Sequence, residues 1–523
     1  MAAAIIALLS LYCSSTASAG VSLCAHLEGA GPRIRSVTVV ANEIFEGAGG
    51  WPYQLANKLH VGTRESVVRN ELLFAPGDPL DGERLDQSAR NLRALGFFRD
   101  AAIVASPATE DSEAVDVAVS TWDAWTLSPQ LALKKLGNRW AWDLGLAEKN
   151  FLGYGKHVEL SYRSEIDRDS TRLFLRDPQI AGSQWELASG FAEQSDGRRL
   201  DFRLHRPFVA LDTRWGYGGR IEAFDQLQPL YESGERVGEL KHVRRLGEVG
   251  ISRALSSNAE SKSAVRLHLG YRKQEDRLEN ESRNFGILLF GVSSVTHDFA
   301  ELSYLNRFGA TEDVNLGAET NLGFGVSSEL FGGEPENVFF FNLSRKQTLL
   351  DLGPGHWLAS SMAWSARHRR GQIENSMVDA QLDYIRKPAP RWVFAGAARL
   401  LLGANLDPEV QLTLGVNNGL RGYPANGFVG DRSLLLSLEQ RWFAIDDIAQ
   451  LVSVGVALFM DSGHAWTLGQ GIDLGDLKTN LGVSILLGRD RLSPSSPIAR
   501  VNFAYALVPV SGGSRWLISF GNG

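Results

Sequence analysis

A transmembrane antiparallel β-barrel of 16 strands, preceded by a small α+β domain, is the fold class this sequence predicts. Three observations predict it. Beyond the first dozen of its 523 residues, no apolar run approaches the roughly 20 needed for a spanning helix, although 44% of the chain is hydrophobic. From about Trp125 the hydrophobic pattern repeats every two residues, the signature of strands with two unlike faces. The chain also opens on a nearly continuous apolar run, Ala2 to Tyr12, followed by the small-x-small sequence Ala17-Ser18-Ala19, the pattern of a secretory signal.

Residues 1–19 read as that signal peptide, with the terminal amine supplying the positive charge. Bulky Tyr12 before Cys13 argues against lipid attachment. Cleavage before Gly20 leaves Cys24 alone of the chain's 2 cysteines, which excludes an intrachain disulfide framework and a cysteine-built metal site. A short mature segment, 20–32, leads into the α+β domain, 33–123. There Ile34 to Val40 reads as a strand, followed by an irregular stretch carrying Gly47, Gly49 and Gly50. Thr63 is placed to cap a helix from Arg64 to Leu73, and Pro76-Gly77-Asp78-Pro79 forces a turn. A second helix runs from Asp81 or Gly82 through Leu95, with Leu85, Ala89, Leu92 and Leu95 on one side and Gly96 ending it. Ala101 to Ser106 and Ala114 to Ser120 complete the domain as a hairpin.

Residues 124–523 form the barrel. Val452, Val454, Val456, Leu458 and Met460 alternate with Ser453, Gly455, Ala457, Phe459 and Asp461. Leu481, Val483, Ile485 and Leu487 alternate in the same way with Asn480, Gly482, Ser484 and Gly488. In a soluble sandwich the apolar face points inward; in a membrane barrel it meets lipid, and small and polar residues line the lumen. Trp140 and Trp142, Trp215 and Tyr217, and Trp442 and Phe443 fit interfacial girdles at strand ends. Roughly 400 residues, at about 25 per strand with its connection, supply about 16 strands, and lipid requires the sheet to close because it cannot satisfy an open edge.

Chemistry is sparse by comparison. The net charge of -7 comes from 53 basic and 60 acidic residues spread along the chain, so no basic patch points to nucleic acid. Neither a phosphate loop nor a histidine metal signature is present, and no cofactor is expected. Asp461, Ser462 and His464 contain the letters of a hydrolase triad, but neighbouring residues alternate faces and no Gly-x-Ser-x-Gly turn presents a nucleophile, so the chain is not expected to be an enzyme. Asp167, Asp169 and Asp177 read as solvated loop charges ahead of a calcium site.

The residues that stand out are Arg421, Gly422 and Tyr423, with Glu439 and Asp461. Glu439 shares a face with Ser437 and Arg441, opposite Leu434, Leu436 and Leu438; the assignment that sends those leucines to lipid sends Glu439 to the lumen. Asp461 follows the same rule. A loop folded inward can bring Arg421 to these carboxylates in a charge-assisted fork, with Gly422 permitting close backbone approach and Tyr423 packing on the wall. The plainer alternative leaves Arg421 on a surface turn and both acids facing water. Even the sharper reading describes an internal structural latch and not a reaction centre.

Several of these stretches together carry a family resemblance. Residues 34–119 resemble a single POTRA domain, through Leu72-Leu73-Phe74-Ala75-Pro76-Gly77-Asp78 and the helix ending Leu92-Arg93-Ala94-Leu95-Gly96-Phe97-Phe98. Asn150-Phe151-Leu152-Gly153-Tyr154-Gly155 resembles the first barrel hairpin of the Omp85 superfamily, in its BamA/TamA-like surface-antigen branch. Leu420-Arg421-Gly422-Tyr423 is similar to that family's inward-folded loop motif, Glu439 to its acidic strand residue, and Phe459-Met460-Asp461-Ser462-Gly463 to its Phe-x-Asp-x-Gly strand. The likeness runs over nearly the whole mature chain.

That resemblance implies a bacterial outer-membrane protein with its N-terminal domain in the periplasm. It also implies a non-enzymatic role in assembling or inserting other barrels, and partners comprising membrane lipid, extended or unfolded polypeptide clients and a periplasmic protein at the POTRA-like domain. Two other readings stay open: a polypeptide translocation or secretion pore, and a structural or binding surface barrel that transports nothing. Secretion pores of this kind carry two POTRA domains and a plug helix, for which Val21 to Pro32 is too short. The terminal aromatic of the family lies here at Phe520, with Gly521-Asn522-Gly523 after it.

Overall fold

A computed structural model describes residues 32–45, 50–108, 114–136, 139–258, 261–279, 281–471, 473–489, 491, 498–510 and 514–522. The expected signal peptide, both cysteines and most of segment 20–32 lie outside the described residues.

The N-terminal unit is built on a three-stranded sheet. β1 (Arg33–Asn42) runs parallel to β3 (Ala114–Asp123), and β2 (Phe98–Pro107) pairs antiparallel with β3, so the order is β1-β3-β2 with β3 in the centre. Val115, Val117 and Val119 alternate inward along β3 and share a core with Leu85 and Leu92 of helix α3 (Gly82–Ala94) and Val67 and Val68 of the short helix α2 (Glu65–Arg69). Asp81 caps α3, accepting from the backbone N–H of Glu83 at 2.9 Å, the arrangement that satisfies the free donors of a first helical turn.

Two expectations are corrected in this unit. The stretch read as irregular holds a further helix, α1 (Trp51–Leu59). Thr63 does not cap a helix over 64–73; α2 covers only Glu65–Arg69, with Arg64 at its N-cap position and no side-chain cap. The reason is tertiary. The Thr63 backbone N–H and hydroxyl both donate to the buried Asp123 carboxylate at the end of β3, at 2.8 and 2.9 Å, with His60 Nε2 3.0 Å from the same group.

From Leu127 to Asn522, among the described residues, 20 antiparallel strands follow one another, and the last (Trp516–Asn522) lies beside the first (Leu127–Leu136), closing the sheet. The expected 16 is therefore an undercount. Two-residue turns such as Ser195-Asp196, Ser233-Gly234 and Arg370-Gly371 join successive strands, leaving fewer residues per strand than assumed. Leu144, Leu160, Val249 and Leu458 point outward and are more than half exposed, whereas Glu159, Asp276, Glu439 and Asp461 face inward and are buried. Apolar outside and charged inside is the polarity of a membrane barrel, not of a soluble sandwich.

Outward aromatics cluster near the rims: Trp392 stacks on Trp442 with ring centroids 5.7 Å apart, and Trp142 lies 5.1 Å from Tyr162. Phe443, expected in the girdle beside Trp442, is instead fully buried inside the ring. Adjacent strand residues face opposite sides, so the two cannot both meet lipid. Pairing of the last strand continues past Phe520, with Arg500 opposite Gly521 and Ala499 opposite Asn522; those two residues extend the strand.

Candidate functional site

Three neighbouring strands make the wall of the site. Arg432–Ile448 pairs with Val452–Trp466 in a register that sets Ser437 opposite Asp461 and Glu439 opposite Phe459; Val452–Trp466 pairs with Lys478–Gly488, setting Asp461 opposite Asn480 and Phe459 opposite Gly482. Period-two alternation turns all of these into the lumen. Residues 405–431 connect two strands at the end of the ring away from the N-terminal unit. They fold back inside it around a small hairpin, Leu412–Leu414 with Phe428–Gly430.

The tip of this loop brings the five expected residues together. Arg421 donates from Nε and Nη2 to the two oxygens of Asp461 at 2.9 and 2.7 Å, and from Nη1 to Glu439 at 2.8 Å. Its guanidinium carbon sits 3.6 Å from the centroid of the Phe459 ring, close enough for a desolvated cation–π contact. Gly482, opposite Phe459, makes room for that ring, since a Cβ there would stand 2.2 Å from the ring's tip. The Gly422 N–H donates to Asn480 Oδ1 at 3.0 Å, and a Cβ on Gly422 would lie 2.4 Å from that of Asn480. Tyr423 is buried, its hydroxyl 3.0 Å from the Val508 carbonyl and 3.1 Å from that of Thr479.

Asp461 is 0% exposed, and a carboxylate so placed must have its lone pairs filled. Besides the arginine fork it accepts from Ser437 Oγ and Asn480 Nδ2, both at 3.0 Å. Glu439 is shared by three arginines: Arg421, Arg441 Nε at 2.6 Å and Arg500 Nη1 at 2.8 Å.

Sequence reasoning did not assign Arg500, Asn480 or Phe459 to this network. Their inward positions follow from alternation, but pairing them needs the strand register. It also missed a second anchor at the loop's root. Asp407 and Glu409 bind Arg283, which is 2% exposed, and Arg367 Nη1 donates to Asp407 at 2.8 Å. The loop is thus held by ion pairs at both its root and its tip. Asp461, Ser462 and His464 do not converge: Ser462 Oγ lies 2.9 Å from Thr479 Oγ1 while Asp461 faces Arg421. Asp169 and Asp177 stand at opposite ends of one strand.

Comparison with known proteins agrees with the N-terminal part of this picture. Residues 59–120 match the POTRA family, described as "Surface antigen variable number repeat". A stretch of 137 residues is 27% identical to a Treponema pallidum (strain Nichols) protein named "Putative outer membrane protein assembly factor"; it covers 24% of this chain and 16% of that protein's length. The family match lies wholly within the N-terminal unit, and the chain spans only a small part of that relative's length.

Among solved structures, Haemophilus ducreyi BamA lacking POTRA domains 1-3 is similar at 12% identity and a TM-score of 0.41, over 94% of this chain and 84% of that one. CdiB from Escherichia coli is similar at 14% identity and a TM-score of 0.47, over 94% and 76%. The site stands on its own geometry and not on those outlines.

The POTRA-like domain touches the ring through turn after turn. The Arg64 N–H donates to the Gly153 carbonyl at 3.0 Å, Gln179 Nε2 to the Val67 carbonyl at 3.1 Å and Arg84 Nη2 to Asp212 at 3.0 Å. Lys262 lies 2.7 Å from Glu83, and the Tyr53 hydroxyl donates to the Ala449 carbonyl at 2.7 Å. Those turns all belong to one rim, so the domain sits across that end of the ring. At this contact burial pushes the Glu71 carboxyl above its ordinary value, against the lowering effect of the Gln179 hydrogen bond.

Proposed function

We propose that this protein is a non-enzymatic assembly factor that helps unfolded β-barrel polypeptides enter the outer membrane. The observation that carries the reading is a small sheet beside a membrane ring: with β3 in the centre, β1 and β2 are its edge strands, the start of β1 being met by residues 77–80 while no other strand pairs with the outer side of β2 among the described residues. An extended polypeptide adds to such an edge through main-chain hydrogen bonds, with alternate side chains giving selectivity. Val40 on β1 and Val104 on β2 are exposed, at 42% and 62%, and offer apolar contacts to an incoming strand.

In this reading residues 33–123 form the client-receiving domain and 124–523 the membrane domain, which follow residues 1–19 as a removable signal and 20–32 as a short lead-in. Residues Arg421, Gly422, Tyr423, Glu439 and Asp461 act as an internal latch. The latch fixes the inward loop, and through it the shape of the wall against which a client strand pairs. Its partners are outer-membrane lipid, unfolded polypeptides and a periplasmic protein at the POTRA-like domain.

The test is the folding rate of a urea-unfolded outer-membrane barrel in liposomes carrying the mature protein. Acceleration that is lost in Arg421→Ala and in a variant lacking 33–120 supports assembly. Unchanged folding combined with passage of a polypeptide into the liposome selects the translocation reading.

A further inference from the structure

Residues 297–318 join two ring strands at the periplasmic end, and they do not simply turn. Phe299–Leu302 and Glu312–Asn315 pair as a small hairpin apart from the ring. Its tip is braced from within: the Glu312 carboxylate accepts from the backbone N–H groups of Leu305, Asn306 and Arg307 at 2.8 to 3.1 Å. The tip carries Leu305 and Phe308 into the ring, where both are buried in a cluster with Trp357, Val393, Phe443 and Leu486. These wall residues come from the periplasmic ends of several different strands.

Phe308 meets Phe443 edge-on at 4.9 Å. Its socket depends on two glycines, since a Cβ on Gly488 would fall 2.3 Å from the Phe308 ring and one on Gly455 would fall 3.3 Å from it. Close packing of an aromatic ring into space opened by glycines specifies one seated position.

The hairpin is tied on both sides. Toward the POTRA-like domain, Arg93 of α3 forks onto Asp313 at 2.6 and 2.7 Å and reaches Glu301 at 2.8 Å, and Thr311 Oγ1 donates to Asp100 at 3.0 Å. Toward the lumen, Arg441 Nη1 donates to the Leu305 carbonyl at 2.9 Å while its Nε holds Glu439, the carboxylate that Arg421 also grips. One side chain therefore touches both the hairpin tip and the latch.

We propose that residues 297–318 are a plug for the periplasmic end of the lumen, seated by Phe308 in its glycine socket. In this arrangement the Arg93 fork ties the plug's seating to the position of the POTRA-like domain, and the Arg441 bridge ties it to the Arg421 latch. The ring then has a closed state in which domain, plug and latch support one another, and a partner or client that draws the domain away unseats the plug and loosens the latch. Contiguity alone does not establish coupling; a shared two-state element does. The plug requires the lumen and its orientation, but not the assembly reading.

The full mature protein, reconstituted in planar bilayers, tests it. Phe308→Ala should raise the open-to-closed ratio of the pore at least about a hundredfold, the order expected when a buried phenylalanine is lost. Arg93→Ala, outside the ring, should raise it in the same direction. Hydrogen exchange at residues 419–423 should quicken in Phe308→Ala, although that side chain touches none of the latch residues. A correctly folded Phe308→Ala and an Arg93→Ala that conduct no more than the parent overturn the plug. Raised conductance with unchanged exchange at 419–423 overturns the link to the latch. Neither result depends on whether the protein accelerates barrel folding, so failure of the plug and failure of the assembly reading are told apart.

Discussion

Replacing Arg421 by alanine removes a guanidinium that makes three contacts at once, a fork on Asp461, a bond to Glu439 and a stack on Phe459, while the backbone N–H keeps its 3.3 Å approach to Asp461. Breaking a buried ion pair by removing one partner costs about 3–5 kcal/mol, because the remaining charge is left uncompensated. Two features reduce the cost here. Glu439 keeps Arg441 and Arg500, and Asp461 keeps Ser437 and Asn480. Asp461, with no exposure to solvent, still loses its only ion-pair partner among the described residues, so a loss near 3 kcal/mol is expected. At about 1.4 kcal/mol per decade, that weakens docking of the loop by about a hundredfold.

Hydrogen exchange of the Gly422 amide in reconstituted protein reads this directly, since that N–H is bonded to Asn480 only while the loop is docked. Arg421→Lys should fall between, because an ammonium keeps the charge but not the planar fork or the stack. Exchange at Gly422 that is the same in Arg421→Ala as in the parent would mean that the guanidinium does not hold the tip and that the root anchor and the buried Leu420 and Tyr423 hold the loop unaided.

Gly422→Ala should undock the tip by steric conflict with Asn480, and Asn480→Gly in the same chain should restore part of the protection, because the clash is between the two Cβ atoms; exchange at 419–423 checks both. Asp407→Asn should loosen the loop's root without disturbing the tip, since it strips a carboxylate from Arg283 and Arg367, and limited proteolysis of 405–411 is the readout. Glu71 gives a pH dependence. Its carboxyl is raised by burial in the docked domain, so docking binds the proton more tightly. Contact between domain and ring should therefore weaken as pH rises from the ordinary glutamate range through the raised value, and strengthen as pH falls back through it. Glu71→Gln should remove that dependence, as followed by cross-linking between the domain and residues 178–185.

The parts of the fold that were legible are those whose cause is local. Alternation along 452–460 fixes which side chains meet lipid, whatever the neighbouring strands are, and the spacing of Leu85, Ala89 and Leu92 fixes the buried side of α3. The latch residues were legible because a short motif and two inward acids can be named without knowing register. Asn480 and Arg500 were not, since each enters the network only through strand pairings that bring distant stretches together. Thr63 carried a capping signal that the tertiary pull of Asp123 overrode. The plug left no signal of its own: Phe308 reads as one aromatic in a polar connection until Gly455 and Gly488, far along the chain, are seen to open a space for it.

A role in assembly is decided by the folding rate of a urea-unfolded outer-membrane barrel in liposomes with and without the mature protein. The parent should accelerate folding, and Arg421→Ala and the variant lacking 33–120 should not. Folding no faster than in empty liposomes would contradict that role.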